Sequence, residues 1–143
     1  MDVLIKRLHD KAKLPIFKTD GSACADVVSV TRTPDGQSMI YELGFAMQIP
    51  KGYHIKVNSR SGHGFSDNIR LCNSVGIIDS DYRGPVLVKL QYDGPHYITP
   101  DWPWVGDRVA QFELVKNVKT KYEWADELDE TERGSGGFGS TGR

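Results

Sequence analysis

The segment from Asn73 to Gly84 places two carboxylates, a tyrosine and an arginine within a few residues of one another. Apolar residues lead directly into Asp79 and Asp81, in the sequence Gly-Ile-Ile-Asp-Ser-Asp-Tyr-Arg-Gly. A carboxylate in such a position can activate a water molecule while the ring of Tyr82 packs on a sugar. The same residues would also fit a β-hairpin whose acids are merely solvated, and this segment alone does not decide between the two interpretations.

A second segment, Ser59-Arg60-Ser61-Gly62, has residue types that suit phosphate oxygens. The guanidinium of Arg60 can make a bidentate contact, Ser61 adds a hydroxyl, and Gly62 permits close approach of the backbone. Arg-Ser-Gly is also an ordinary sequence for a surface turn. Taken alone, these four residues favour the turn.

A third segment, residues 106–111, contains Asp107 and Arg108 side by side. We expect these two to form an exposed ion pair in a turn, which contributes little to stability. Gln111 begins a strand on its polar face and could donate an amide N–H to a ligand.

The C-terminal residues 133–143 are rich in glycine and offer almost nothing to a core. Their backbone N–H groups, with Arg133, Ser140 and Thr141, could wrap a triphosphate, and Phe138 could stack on a base. A flexible tail without function is the alternative. Residues 123–132 carry six acidic residues and no basic one. We therefore predict a compact domain over residues 1–122, followed by an acidic linker and a mobile arm over residues 123–143.

Short β-strands are predicted to position these segments. Large apolar residues alternate with other residues over several stretches, and turn-forming residues lie between them. The strand-like runs are residues 41–49, 53–58, 69–73, 86–92 and 109–115. No stretch of ten or more residues shows a helical period. Many short strands with frequent turns are typical of an all-β sandwich or barrel.

The composition, with 38% hydrophobic and 26% charged residues in 143, is that of a soluble globular domain. A net charge of −1 offers little attraction for a nucleic acid, and no apolar run reaches the length of a membrane helix. The first residues lack the order of a secretion signal, so we expect a cytoplasmic protein, in a host cell if the source is viral. Cys24 and Cys72 are expected to be buried thiols rather than a disulfide or metal ligands.

In order and spacing, these four segments, with Gly-Ser-Ala-Cys-Ala-Asp at residues 21–26, resemble the five motifs of the trimeric all-β dUTPase family. The most specific matches are residues 76–84 and 133–142, and the resemblance extends from about Ala12 to the end. It implies a distorted jelly-roll β-barrel and a homotrimer whose active sites are shared between subunits. It also implies hydrolysis of dUTP to dUMP and pyrophosphate.

The resemblance assigns roles to individual residues. Asp79 would be the general base that orients a water for attack on the α-phosphorus, and Tyr82 would lie under the deoxyribose. The uracil would be held by Asn73, Gly76, Ile77 and Ile78, with Phe138 over the ring. The phosphates would be held by Arg60, Ser61, Gly62, Gln111, Arg133, Gly139, Ser140 and Thr141. Mg²⁺ would be bound mainly through the triphosphate, with Asp26 helping only through a water.

The chain departs from the family pattern in two places. Ser59 stands where the second motif has proline, and His63-Gly64-Phe65 stands where Leu-Ala or similar is usual. His63 is expected to be a surface histidine, because the family mechanism needs none. Residues 97–105 form an insertion with Trp102 and Trp104, which suggests subunit packing or, alternatively, a surface for a protein partner.

Two other functions compete with this interpretation. A dCTP deaminase of the same fold would need a catalytic glutamate, and this chain has none between Glu42 and Glu113. A non-catalytic nucleotide-dependent binding protein would use the tryptophan-bearing insertion for docking. Ammonia release from dCTP would favour the first, and a partner lost on substitution of both tryptophans would favour the second.

Overall fold

The computed structural model describes residues 1–140, in which ten β-strands and one short helix make up the regular structure. The strands are β1 (Leu4–Arg7), β2 (Ala25–Val28), β3 (Thr31–Asp35), β4 (Ser38–Glu42), β5 (Phe45–Gln48), β6 (Tyr53–Asn58), β7 (Ile69–Leu71), β8 (Gly76–Ile78), β9 (Leu87–Tyr92) and β10 (Arg108–Lys116), and the helix is α1 (Ser61–Ser66). The strand-dominated model confirms the all-β prediction.

Two four-stranded antiparallel sheets contribute to one hydrophobic core. One sheet has the strand order β2-β10-β6-β8, and the other has the order β3-β4-β9-β7. A separate ladder joins β1 to β5. The core is formed by alternate residues of these strands, and its largest fully buried side chains are Tyr41, Phe45, Leu43, Ile69, Leu71 and Leu90.

Residues 41–49 were predicted as one strand, and this is wrong, because the chain bends at Gly44. β4 ends at Glu42 and β5 begins at Phe45. Gly44 has a φ of 75°, and a Cβ there would lie 2.9 Å from both His9 and Val30. Alternation persists across the bend because β4 and β5, although paired in different sheets, bury their odd-numbered residues in the same core. Residues 53–58, in contrast, form β6 as predicted.

A tight hairpin joins β3 to β4 through Gly36, whose φ of 60° is left-handed. Pro34 lies within β3 and has no backbone N–H to donate. β3 is an edge strand of its sheet, so no strand on its outer side needs a hydrogen bond from Pro34.

The turn expected at residues 59–62 is in fact the start of a helix. α1 is six residues long and follows β6 directly, with Arg60 as its extended N-cap. It is the one helix in residues 1–140, and no helix in that part of the chain is long and apolar enough to cross a membrane.

The chain leaves the sheets after β10. The backbone N–H of Asn117 donates to the carbonyl of Gly52 at 2.8 Å. From residue 118 to 135 every residue is exposed, and the later turns are closed by local bonds such as Gly136 N–H to Arg133 O. The division into residues 1–122 and 123–143 stays a prediction.

Candidate functional site

A cleft of about 530 Å³ opens where the edges of the two sheets meet. β8 is the last strand of one sheet and β7 the last strand of the other, and the loop between them borders the cleft. Side chains of the apolar core form much of its floor. Six of the predicted site residues line it together, namely Asn73, Gly76, Ile77, Ile78, Asp79 and Tyr82.

The loop between β7 and β8 is held in one tight conformation. Ser74 has a left-handed φ of 60°, and its N–H donates to the carbonyl of Leu71 at 3.2 Å. A Cβ on Gly76 would lie 3.0 Å from Cβ of Val57 and 3.4 Å from Nδ2 of Asn73. Glycine at this position therefore lets β8 approach β6 while the amide of Asn73 lies beside it.

Asp79 and Tyr82 follow β8 at the rim of the cleft. Asp79 is exposed, and its carbonyl accepts a hydrogen bond from the N–H of Tyr82 at 3.2 Å. The hydroxyl of Tyr82 donates to the carbonyl of Pro85 at 3.0 Å. The ring lies so close to Gly84 that any Cβ there would overlap it. The hydroxyl end of the ring thus contacts Pro85 and Gly84, while Asp79 faces solvent.

A second group of predicted residues meets at Asp26, which is 6% exposed. Its Oδ1 accepts from Nε of Arg60 at 3.2 Å and from Nε2 of Gln111 at 3.2 Å, and its Oδ2 accepts from Nη1 of Arg108 at 2.9 Å. Burial raises the pKa of Asp26, but hydrogen bonds and positive charges from Arg108 and Arg60 outweigh burial and place the pKa below its ordinary value. Asp26 is therefore an anchor that holds two cationic side chains.

The predicted ion pair between Asp107 and Arg108 is wrong. The carboxylate of Asp107 accepts from the backbone N–H of Trp104 at 2.7 Å, while Arg108 reaches Asp26. A bulge between Arg108 and Ala110 is the reason, because it shifts the register of β10 against β2. The shift puts Arg108 on the same face as Gln111, although their spacing in a regular strand would place them on opposite faces.

His63 was expected at the surface, and it lies there in a partly exposed position. Its side chain is 16% exposed, and its ring contacts Asp67 of the same segment and the backbone of β10. Sequence reasoning missed both His63 and Arg108. The departure of His63 from the family pattern was the one available signal. Ser61 and Gly62, by contrast, are exposed at the start of α1.

The arm residues do not reach either group in the described part of the chain. Arg133 donates from Nε to the carbonyl of Gly136 at 2.9 Å, which is a contact within the arm. Phe138 is fully exposed, and Gly139 and Ser140 are exposed beside it. Thr141 lies outside the described residues.

Residues 1–140 contain no group of three or more His, Cys, Asp or Glu side chains that could hold a metal ion. The carboxylate of Asp26 already accepts three hydrogen bonds, from Arg60, Arg108 and Gln111. A water on Oδ2 could use the remaining position. The water-mediated magnesium contact of Asp26 stays a prediction.

The two cysteines are free, as expected, but they are half-buried rather than buried. Cys72 lines the cleft, and Cys24 lies on the side of the Asp26 group, 3.8 Å from Nδ2 of Asn58. Their positions in different regions agree with the prediction that they do not pair.

The two tryptophans of the insertion lie in different surroundings. Trp102 packs on the hydrophobic core, whereas Trp104 is 63% exposed, with the guanidinium of Arg32 3.8 Å from its ring centroid. The intervening Pro103 carbonyl accepts from the hydroxyl of Tyr41 at 2.9 Å, and burial raises the pKa of Tyr41 to about 12. The insertion is therefore attached to its own subunit, and docking of a protein partner on it stays a prediction.

Comparisons with known proteins agree on one family. The family model described as dUTPase matches residues 10–142. A deoxyuridine 5'-triphosphate nucleotidohydrolase of Helicobacter pylori (strain P12) is 36% identical over 146 residues, covering 99% of this chain and 97% of the relative. A dUTPase mutant of Staphylococcus bacteriophage 80alpha, solved with dUpNHpp, is similar with a TM-score of 0.84 and 21% identity over 99% of each chain. A mutant dUTPase from phage phi11 of S. aureus, described with a structural Mg(II) ion, is similar with a TM-score of 0.74 and 20% identity over 90% of this chain and 99% of that chain.

Proposed function

This chain belongs to the dUTPase family and is a dUTP diphosphatase, and we propose that it hydrolyses dUTP to dUMP and pyrophosphate by attack of water on the α-phosphorus. The observation that carries this mechanism is the cleft, which gathers an exposed carboxylate, an aromatic ring and an open strand edge. In a cell the reaction would limit the incorporation of uracil into DNA and supply dUMP for thymidylate synthesis.

Recognition of uracil is proposed at the edge of β8. β8 pairs with β6 on one side and is the last strand of its sheet, so its other edge presents unpaired N–H and C=O groups. Gly76, Ile77 and Ile78 would use these groups to bind the polar edge of uracil, with Asn73 beside them. Cytosine would present mismatched donors and acceptors, and the methyl group of thymine would clash with the narrow loop.

Selection of deoxyribose is proposed for Tyr82. Its hydroxyl donates to the carbonyl of Pro85, and its ring lies close to Gly84, which favours the observed orientation of the ring. A sugar packed on this ring would leave no space for a 2′-hydroxyl. UTP would therefore be excluded sterically.

The chemical step is proposed to depend on Asp79. Its exposed carboxylate would orient a water and accept a proton as the water oxygen bonds to the α-phosphorus. The bond to the α,β-bridging oxygen breaks in line, and pyrophosphate leaves with that oxygen. Arg60, Ser61, Gly62 and Gln111 would position the phosphates and offset their charge, so no covalent intermediate is required. Mg²⁺ would be bound mainly through the triphosphate and would neutralise its charge, and a solved phage dUTPase is described with a structural Mg(II) ion.

Complete sites are proposed to form only in a homotrimer of distorted jelly-roll barrels. In residues 1–140 no hydrogen bond joins the cleft to the arm or the Asp26 group to the arm. Arg133, Phe138, Gly139, Ser140 and Thr141 would instead close over a site formed by other subunits. This arrangement would explain why phenylalanine stands fully exposed in a polar arm.

The deciding experiment is pyrophosphate release from dUTP, dCTP, dTTP and UTP by the wild type and by Asp79→Asn. We expect Mg²⁺-dependent release from dUTP alone, with a loss of at least about 10³-fold in kcat in the variant because its amide cannot accept the proton. The variant should still bind a non-hydrolysable dUTP analogue. Equal turnover of UTP or dTTP would contradict the proposed selectivity, and ammonia release from dCTP would indicate a deaminase.

A further inference from the structure

His63 lies where α1 meets β10, and the proposed reaction does not use it. Its Nε2 is 2.8 Å from the backbone oxygen of Arg108, and its Nδ1 is 3.1 Å from Oδ2 of Asp67. Both partners can only accept hydrogen bonds. Because the carbonyl of Arg108 can only accept, Nε2 of His63 donates to it, and this hydrogen bond ties α1 to β10.

α1 has little stability of its own. It is six residues long, contains Gly62 and Gly64, and has no side-chain hydrogen bond at its N-cap. Glycine is a poor helix former, and so short a helix is not stable in isolation. None of its residues is buried. The position of α1 consequently depends on contacts such as those of His63.

Arg60 immediately precedes α1 and lies between Asp26 and His63. Its Nε donates to Asp26, and its Nη1 is 3.4 Å from Nε2 of His63. Because Nε2 of His63 already faces the closer carbonyl of Arg108, we interpret the longer contact to Arg60 as packing. Asp26 thus binds one side of the Arg60 guanidinium, and the ring of His63 packs against the other side. In residues 1–140 the remaining N–H groups of Arg60 have no acceptor, which leaves them for an anion.

We propose that His63 is a positioning residue, which holds α1 against β10 so that the guanidinium of Arg60 meets the substrate phosphates. The proposal rests on the proposed function, because it takes Arg60 as a ligand of the triphosphate. The sequence has His63-Gly64-Phe65 where the family pattern has Leu-Ala or similar. The contact is therefore made by a residue that departs from that pattern.

Two amide variants of His63 separate its contacts. In His63→Gln the amide nitrogen can take the place of Nε2 and donate to the carbonyl of Arg108, whereas in His63→Asn the amide reaches only toward Asp67. We expect His63→Asn to raise KM for dUTP about tenfold, the effect of losing one hydrogen bond that positions Arg60, with kcat changed less than about twofold. His63→Gln should keep KM within about twofold of wild type. Ser66→Ala, an exposed change on the same helix, is the control and should leave both constants unchanged.

A double-mutant cycle tests whether His63 acts through Arg60. Arg60→Ala removes the group being positioned, so adding His63→Asn to it should change KM by less than about twofold. A full tenfold effect in that background, or equal effects of the Asn and Gln variants, would overturn the proposal. If His63→Asn does not fold, His63→Leu removes both contacts of the ring with a side chain of similar size and should raise KM about tenfold, whereas an unchanged KM would overturn the proposal.

The same assays separate this proposal from the proposed function. Failure of the wild type to hydrolyse dUTP would refute the proposed function itself. Hydrolysis by the wild type with an unaltered KM in His63→Asn would leave the function standing and remove the positioning role.

Discussion

Asp26 is the residue on which the charged part of the candidate site depends, because one buried carboxylate holds Arg60 and Arg108 together. Its pKa lies below the ordinary value of 3.8, since the two guanidinium groups outweigh the effect of burial. A carboxyl with a lowered pKa in the folded state stabilises the protein above its unfolded pKa. That stabilisation is lost as the pH falls through the lowered value.

Asp26→Asn should therefore destabilise the protein at pH 7 by about 1–3 kcal/mol, because hydrogen bonds to a charged acceptor are lost. The difference from wild type should shrink as the pH falls below about 4, because the carboxyl is then protonated in the unfolded chain first and in the folded protein only at lower pH. Urea unfolding at pH 7, 5, 4 and 3 measures this. Asp101→Asn, an exposed change in the insertion, is the control. A difference that stays constant down to pH 3 would show that charge is not the cause.

At the residue scale, the site residues that the sequence could group correctly were those that lie close together along the chain. Asn73, Asp79 and Tyr82 lie within ten residues, so a single loop was bound to bring them to one cleft. The partners of Asp26 come from β10 and from Arg60, which lies between β6 and α1, and Arg108 reaches Asp26 because of the bulge. No pattern in the sequence marks a bulge of this kind, and the neighbouring Asp107 offered a simpler but wrong partner.

At the scale of the strands, two of the left-handed glycines, Gly36 and Gly44, have different reasons to be glycine. Gly36 and Gly44 both have positive φ, but a Cβ on Gly36 would meet nothing within 4 Å, whereas one on Gly44 would press on His9, Val30 and Ala12. Alternation predicted which residues face the core. It could not show where the chain passes from one sheet to another, because the buried face is the same on both sides of Gly44.

Alanine variants of Gly36 and Gly44 allow the cost of backbone strain to be separated from the cost of crowding by neighbouring side chains. Gly36→Ala should cost about 1 kcal/mol of stability from the left-handed backbone alone, and Gly44→Ala should cost a further 1–3 kcal/mol, roughly, from overpacking. Thermal unfolding of both variants beside the wild type gives the comparison. Equal losses would mean that the structure around Gly44 relaxes without penalty.

At the scale of the whole molecule, shared active sites can be tested by mixing subunits. Asp79→Asn chains carry an intact arm, and Arg133→Ala/Phe138→Ala chains carry an intact cleft. If an arm closes over the site of another subunit, refolding the two inactive chains together in equal amounts should restore roughly a quarter of wild-type activity. If each arm serves its own subunit, no mixed site is complete and activity stays absent. Light scattering should give a mass about three times 16.0 kDa.

The exposed arm also bears on how the affinity for nucleotide is set. Residues 118–140 have no regular structure and only local bonds, so closing them over a ligand, as proposed, would order this segment against the ligand. Conformational entropy would oppose the closure by about 1–2 kcal/mol per residue whose backbone becomes fixed, and contacts to an intact triphosphate would have to offset this cost. After hydrolysis, fewer contacts would remain to hold the arm. On this proposal, the arm would limit affinity for the substrate while favouring departure of the products.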